Sequence, residues 1–311
     1  MRFLSNGFYQ AVVGIVQTHF ERFGVGPSGP MDLRAYRLNH LILGNREGEK
    51  VLEMTGLLPT IGFEEAVSCA VTGKPVKIVC DGHLIPMCRS FDVLPGSVLS
   101  FERLENGGWT YFGVGGGIEE ISGRQVRLKA PTLNGWVSFL PDDLYREAPK
   151  DEPIRVVAGP EWDWFDSRAQ EAFLNQNYRV DSIDRMGYRL QGKPILLRKS
   201  RELISSPVST GTVQVTGSGQ PVVLMAGRQT IGGYPRIAFV SPTDLSRLSQ
   251  TGEGEIVRFR KTSIEEAEQD WKAENEQLLR LAQILKNQRN SLLFSASVQV
   301  SDRRFYVQMT R

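Results

Sequence analysis

Apolar positions along this chain recur mostly with the two-residue period of strands, in short runs separated by glycine and proline. Residues 76–80, 97–101, 109–114, 154–157, 188–190, 195–198, 213–215, 222–226, 238–240 and 255–259 are predicted strands. Many short strands with few intervening helices describe a mainly β chain of the barrel or sandwich kind. Two segments carry the helical period instead. Residues 33–43 have Asp32 before them as an N-cap and Gly44-Asn45 to end them, and 161–175 form the second. Beyond Lys261 the texture changes. Residues 263–287 are polar and charged, with Ile264, Ala267, Trp271, Leu278, Leu281 and Leu285 along one helical face. Ser263 and Glu266 have the spacing of a capping box at its start. A stripe of this kind most often folds back over its own domain; the alternative is an interface with another chain. Two short strands, 292–300 and 304–309, follow.

Two phrases recur in the same order. Thr72-Gly73-Lys74-Pro75-Val76 returns as Gln191-Gly192-Lys193-Pro194-Ile195, and Gly96-Ser97-Val98-Leu99-Ser100-Phe101 returns as Gly254-Glu255-Ile256-Val257-Arg258-Phe259. Their order points to a duplicated barrel. The expected organisation is a first half over 1–140, a proline- and acid-rich linker over 141–153, a second half over 154–262 and a helical extension with terminal strands over 263–311.

Composition narrows the function classes. With 41% hydrophobic and 23% charged residues the chain is ordinary for a globular protein, and a net charge of +2 gives no electrostatic reason to expect nucleic acid. No window approaches twenty apolar residues and no signal-peptide pattern is present, so the expectation is a cytoplasmic protein without a membrane span. Cys69, Cys80 and Cys88 have no C-x-x-C spacing and read as buried thiols; His19, His40 and His83 are scattered, so no metal is expected.

Candidate chemistry concentrates in 205–237, which holds two strand-like runs, six glycines and the cluster Arg228-Gln229-Thr230. A strand that delivers a cation, an amide and a hydroxyl to a glycine-rich bend is a common way to build a small-molecule site. A barrel corner whose glycines are purely steric is the plain alternative. Arg228 can grip a carboxylate or phosphate in a fork, and Gln229 can both donate to a carbonyl and accept from an N–H. Tyr234 is a positioning group or weak acid, Arg236 a fallback cation, and Gly232 and Gly233 shape the bend. Asp32 is either a cap only or a carboxylate for an amine or amide N–H. Gly115-Gly116-Gly117 lacks both the lysine that closes a P-loop and the third glycine of a dinucleotide loop. Those glycines offer amides to a substrate oxyanion or serve close packing.

Several blocks resemble one family in order: Ser206-Pro207-Val208, Gly211-Thr212-Val213-Gln214-Val215, Gly219-Gln220-Pro221, Gly227-Arg228-Gln229-Thr230 and Gly232-Gly233-Tyr234-Pro235. Upstream, Gly24-Val25-Gly26-Pro27-Ser28-Gly29-Pro30-Met31-Asp32, Asn39 through Leu52-Glu53, Val71-Thr72-Gly73, Gly115-Gly116-Gly117-Ile118 and Asp184-Arg185-Met186-Gly187 continue it. The chain is thereby similar to the biotin-dependent carboxyltransferase-like proteins. They include the C subunit of ATP-hydrolysing 5-oxoprolinase, the antagonist of the sporulation-kinase inhibitor and the carboxyltransferase region of urea carboxylase. The resemblance implies two cyclophilin-like β-barrel halves with a few short helices, a long C-terminal helix and a shared cleft. It implies a subunit of a heteromeric ATP-dependent 5-oxoprolinase, with ATP bound with or by a kinase-inhibitor-like B subunit and a hydrolase A subunit. Arg228, Gln229, Tyr234 and Asp32 are then the expected catalytic groups. Ser28, Gly115, Gly116, Gly117, Gly232, Gly233 and Arg236 are the expected substrate contacts. The alternatives are a carboxyltransferase acting on a urea-like amide, with biotin on a separate carrier, and a non-catalytic regulator that binds a kinase-inhibitor-like partner. Two blocks depart from the family pattern, Val16 to Gly24 and Ser122-Gly123-Arg124.

Overall fold

The computed structural model describes residues 1–15, 20–134, 138–140, 152–199, 201–300 and 303–310, with side chains through residue 290. Val16 to His19 of the first altered block, and 141–151 of the expected linker, lie outside the described residues. The chain separates into two compact units. Unit one comprises Met1–Ile15, Leu33–Arg146 and Glu276–Arg311, and unit two Val16–Asp32 and Glu147–Asn275.

Unit one begins with twelve strands: β1 (Arg2–Ser5), β2 (Tyr9–Val13), β3 (Val51–Thr55), β4 (Thr60–Gly62), β5 (Val67–Gly73), β6 (Val76–Cys80), β7 (His83–Ile85), β8 (Ser90–Val93), β9 (Val98–Arg103), β10 (Thr110–Val114), β11 (Ile118–Ser122) and β12 (Gln125–Leu128). They form a seven-stranded sheet in the order β11-β12-β1-β4-β9-β6-β7 and a five-stranded sheet in the order β2-β3-β10-β5-β8. Alternate residues of both sheets meet in one core. Phe3, Ile61, Ile78 and Leu99 come from the first sheet, and Leu52, Met54, Val71, Phe91 and Phe112 from the second. Helix α1 (Leu33–Leu43) lies on the other face of the five-stranded sheet. It ends as its sequence predicts. Gly44, at φ +70°, donates to Leu41 O and Asn45 donates to His40 O, the paired bonds of a Schellman close.

Asn39 and Thr72, polar residues of two family blocks, clamp this helix to its sheet. Asn39 Nδ2 donates to Ala70 O at 3.1 Å and Thr72 Oγ1 to Ala35 O at 2.7 Å. A Cβ on Gly113 would sit 1.9 Å from Asn39 Oδ1, so glycine is required beneath the clamp. On the same sheet, the fully buried Tyr111 hydroxyl donates to the buried Glu53 carboxylate at 2.8 Å.

Unit two is organised around β13 (Ile154–Ala158), β14 (Tyr178–Ile183), β15 (Gly187–Gln191), β16 (Ser206–Pro207), β17 (Thr212–Val215), β18 (Pro221–Leu224), β19 (Ile231–Gly232), β20 (Arg236–Val240), β21 (Ile256–Val257) and β22 (Phe259–Lys261). Eight of them form a sheet in the order β21-β14-β15-β18-β17-β20-β13-β22, and β16 pairs with β19. The predicted strand 255–259 is therefore two strands. It breaks at Arg258, and its halves take partners at opposite ends of the sheet, Tyr178 with Val257 and Ile154 with Phe259. One continuous stretch of chain thus supplies both edges, and the sheet curls into a nearly closed barrel.

Two further expectations are corrected. Residues 195–198 are not a strand. Ile195 N donates to Gly219 O and Arg198 N to Trp164 O, single bonds to separate partners rather than a ladder. The helix expected over 161–175 begins only at α2 (Ser167–Asn175), where Asp166 caps Ala169 N at 2.8 Å; Trp162–Trp164 is a separate 3-10 turn.

Helix α3 (Pro242–Ser249) is followed by α4 (Ile264–Ser291). The capping box is present at the start of α4: Glu266 N donates to Ser263 Oγ at 3.1 Å, and Ser263 N to Glu266 Oε2 at 3.2 Å. Leu278, Leu281 and Leu285 are buried in unit one against Leu38, Ile42 and Leu43 of α1, so this part of the stripe packs in cis. Trp271, in the part of α4 belonging to unit two, remains exposed. A closing hairpin, β23 (Leu292–Val300) with β24 (Arg303–Thr310), matches the expected terminal strands. Among the described residues no helix is long and apolar enough to cross a membrane.

Candidate functional site

The block ending at Asp32 belongs to unit two, although it immediately precedes the first helix of unit one. There it meets the two other blocks that carry charged chemistry. Arg185 Nη2 donates to Gly29 O at 2.6 Å, and Gly227 N donates to Arg185 O at 2.6 Å. Gly26 lies so close to the arginine loop that a Cβ there would stand 2.7 Å from Arg228 O. Three sequence regions about 150 and 40 residues apart are thus brought together by backbone contacts that tolerate little added volume.

Arg228 is almost fully buried. Its Nη2 pairs with Glu21 Oε1 at 2.7 Å, its Nη1 donates to Gln229 O at 3.0 Å, and its Nε reaches Thr210 Oγ1 at 3.3 Å. Asp32, also buried, accepts from Gln250 Nε2 at 2.5 Å, just past the end of α3. Among the described residues, the side chains of Ser28, Gln229 and Tyr234 make no hydrogen bond within the protein. Ser28 and Tyr234 are exposed and Gln229 is half-buried, so their polar groups are available to a ligand.

Arg236 is differently placed. Its Nε and Nη2 form a two-bond fork with Glu161 at 2.8 and 2.7 Å, its backbone N donates to Glu161 Oε2 at 2.9 Å, and its Nη1 donates to Pro207 O at 3.1 Å. Burial pushes the Glu161 carboxyl up, but the hydrogen bonds and charge of Arg236 outweigh it and hold the group below its ordinary value. This fork fastens the chain before α2 to strand β20. Gly232 and Gly233 answer steric demands. A Cβ on Gly232 would lie 2.4 Å from Gln214 Nε2, and one on Gly233 would lie 3.2 Å from Ser205 Oγ.

The glycine triplet lies in unit one, and its amides are already used. Gly115 N donates to Ser68 O at 2.7 Å, Gly116 N to Asn45 Oδ1 at 2.9 Å and Gly117 N to Val114 O at 3.0 Å. Cβ atoms at these positions would approach Thr132 Oγ1, Ala130 O and Glu49 Oε2 to 2.5, 1.7 and 2.8 Å. Close packing accounts for all three glycines, and an oxyanion would have to displace existing bonds.

Sequence reasoning singled out the Arg228 loop, the Asp32 block and Asp184-Arg185. It missed Glu21, Gln250 and Glu161, whose pairings span 207, 218 and 75 residues and leave no local trace. Asp184 itself is a turn cap: its Oδ1 accepts from Met186 N at 2.7 Å and Gly187 N at 2.9 Å.

The chain is 30% identical to the C subunit of 5-oxoprolinase from Escherichia coli over 287 residues, 86% of this chain and 93% of that protein. It is 28% identical to the urea amidolyase of Saccharomyces cerevisiae over 285 residues, 78% of this chain but 16% of that protein. Among solved structures, the urea carboxylase of Kluyveromyces lactis superposes on all of the chain with a TM-score of 0.80 at 23% identity, while the chain covers 32% of it. The carboxyltransferase domain model, subdomain A and B, matches residues 23–123 and 122–261. On these grounds the chain belongs to the carboxyltransferase-domain family, subdomains A and B.

Proposed function

We propose that this chain is the C subunit of a heteromeric, ATP-hydrolysing 5-oxoprolinase, converting 5-oxo-L-proline to L-glutamate with A- and B-type partner subunits in the cytoplasm. The observation that carries the reading is one of extent. Alignment with the bacterial C subunit runs over 93% of that protein, whereas the urea amidolyase aligns over only 16% of its length.

An unstrained lactam resists opening by water. Transfer of the γ-phosphoryl group from ATP to the amide oxygen gives an imidate phosphate and ADP. Water adds to its carbon, the ring C–N bond breaks as the nitrogen takes up a proton, and a second water hydrolyses the resulting acyl phosphate to L-glutamate and phosphate. In unit two, Arg228 would hold the substrate carboxylate and Gln229 the amide edge, with Asp32 accepting the lactam N–H. Ser28 and Tyr234 supply orienting hydroxyls. The glycine triplet makes its bonds within the protein and has no lysine to close a P-loop, so nucleotide binding is assigned to the partners.

Co-expression with the two partners should give ATP hydrolysis that depends on 5-oxo-L-proline. Arg228→Ala should lower kcat/KM by about a hundredfold, the cost of losing a charge-assisted contact. Turnover unchanged by the substitution would remove Arg228 from the site. A stable complex without turnover would favour the regulator.

The carboxyltransferase-domain match favours one second reading, transfer of CO₂ from carboxybiotin to a small amide. It requires a separate biotinylated carrier, and carrier-dependent carboxylation of urea by the purified chain would establish it.

A further inference from the structure

Arg228 is buried but its acid partner is not. The guanidinium is 6% exposed, while Glu21 is 31% exposed and contacts it through a single oxygen at 2.7 Å. Glu21 opens a three-residue turn, Glu21–Phe23, that buries none of its residues. Two local bonds shape the turn, Phe23 N to Phe20 O and Gly24 N to Glu21 O, and both phenylalanines are exposed. Among the described residues, the side chain of Glu21 makes one hydrogen bond, the charge-assisted one to Arg228.

We propose that Glu21 is an internal stand-in for the substrate's carboxylate, holding Arg228 until a ligand carboxylate exchanges for it. It thereby sets the affinity for anionic over neutral amides. The proposal rests on the reading that Arg228 contacts the substrate.

Both end states, with Glu21 or with the ligand carboxylate, keep the buried guanidinium paired, so neither leaves an uncompensated charge away from water. A neutral amide has no charge to offer in return and must bind with the Arg228–Glu21 pair intact. An anionic ligand can replace Glu21, but its apparent affinity is lowered by the fraction of time for which Arg228 is open. A partly exposed pair of this kind is closed about two to five times as often as it is open. Selectivity is thus set by how firmly Glu21 holds as well as by how well the ligand fits.

Titration calorimetry on the full chain with 5-oxo-L-proline and its neutral analogue 2-pyrrolidone tests this. Glu21→Gln should tighten 5-oxo-L-proline binding about three- to sixfold and leave 2-pyrrolidone unchanged within error. Glu21→Asp keeps the charge but withdraws it by one methylene. It should give a smaller gain for the acid alone, and it serves as the test if the glutamine variant does not fold. Unchanged affinity for the acid in both variants overturns the proposal. An equal gain for 2-pyrrolidone also overturns it, because the turn would then be a steric cover. Arg228→Gln separates the proposal from the reading beneath it: binding of 5-oxo-L-proline at wild-type strength removes Arg228 as a substrate contact, whatever Glu21 does. No acid binding by any of the four chains overturns both.

Discussion

Two arginine–glutamate pairs in unit two are built in opposite ways. In the Arg236–Glu161 pair the acid is the buried member, 7% exposed, and three N–H groups converge on its two oxygens. In the Arg228–Glu21 pair the arginine is the buried member, and the acid, on an exposed turn, offers it one oxygen. Where both oxygens and the backbone are engaged, breaking the pair strands several polar groups away from water. Where the acid can swing into solvent, only the arginine is stranded, and any incoming carboxylate can relieve it. Residue types are the same in both pairs. Geometry makes one a fastener and the other a position open to exchange.

The largest expected effect is on the fastener. Glu161→Ala removes the acceptor of Arg236 Nε, Nη2 and backbone N together. A destabilisation of about 3 kcal/mol follows, read as a drop of about 6–10 °C in the melting midpoint. A loss no larger than that of Glu21→Gln would erase the contrast between the pairs.

Acid separates the two units. In unit one His40 is 2% exposed, meets Tyr36 edge-on at 4.4 Å, and has neither ring nitrogen hydrogen-bonded among the described residues. Burial drives its pKa down from 6.5 to about 4, against the opposing pull of Glu49 and Glu47. The folded state then refuses a proton that the unfolded chain accepts. Stability contributed by neutral His40 is complete above pH 6.5 and falls as pH drops toward 4, by about 3 kcal/mol in all. Glu161 behaves in the other window. Its folded pKa lies below 4.5, so its contribution is present above pH 4.5 and is lost as pH falls through the folded value. Chemical denaturation between pH 7 and pH 4 should therefore weaken unit one first, and His40→Leu should flatten that slope without touching the later, carboxylate-dependent loss. An unchanged slope in His40→Leu would assign the acid sensitivity elsewhere.

The repeated phrases show how much of the fold was legible and where legibility stopped. Gly96 and Gly254 take left-handed φ values of +91° and +85°, each two residues before a strand that opens at Val98 or Ile256. The repeat therefore encodes a real local turn. The other phrase diverges: Val76 begins a strand, but Ile195, in the matching place, joins no ladder. Local signals such as the Ser263–Glu266 box, the Gly44 close of α1 and the alternation over β6 were readable because their partners lie a few residues away or on the same face. The break at Arg258 was not, because alternation says which face a residue takes and nothing about which neighbour the strand pairs with. The site divides in the same way. The Arg228 loop and the Asp32 block stood out by residue type, while Glu21 and Gln250 became visible only once the chain had folded them onto those residues.

The smallest expected effects test the exchangeable pair directly. Glu21→Gln should cost about 1 kcal/mol, because the amide oxygen still accepts from Arg228 and the removed charge was partly solvated. Gly26→Ala approaches the same pair without altering any charge. Its Cβ would meet Arg228 O at 2.7 Å, and Gly26 lies only five residues after Glu21. The close contact must open by several tenths of an ångström, and the exposed turn is the side free to yield, since Arg228 is buried and bonded to Gln229 O and Thr210. Lifting the turn lengthens the Glu21 contact and leaves Arg228 in place. Gly26→Ala should therefore reproduce the tighter 5-oxo-L-proline binding of Glu21→Gln in weaker form, with a stability loss of about 1–2 kcal/mol because the clash is with backbone. Adding Gly26→Ala to Glu21→Gln should bring little further gain in acid affinity, since the charge that held the contact is already gone. Additive gains in that double variant would mean that the turn blocks the ligand by bulk, and the contrast between the two pairs would then be one of shape rather than charge.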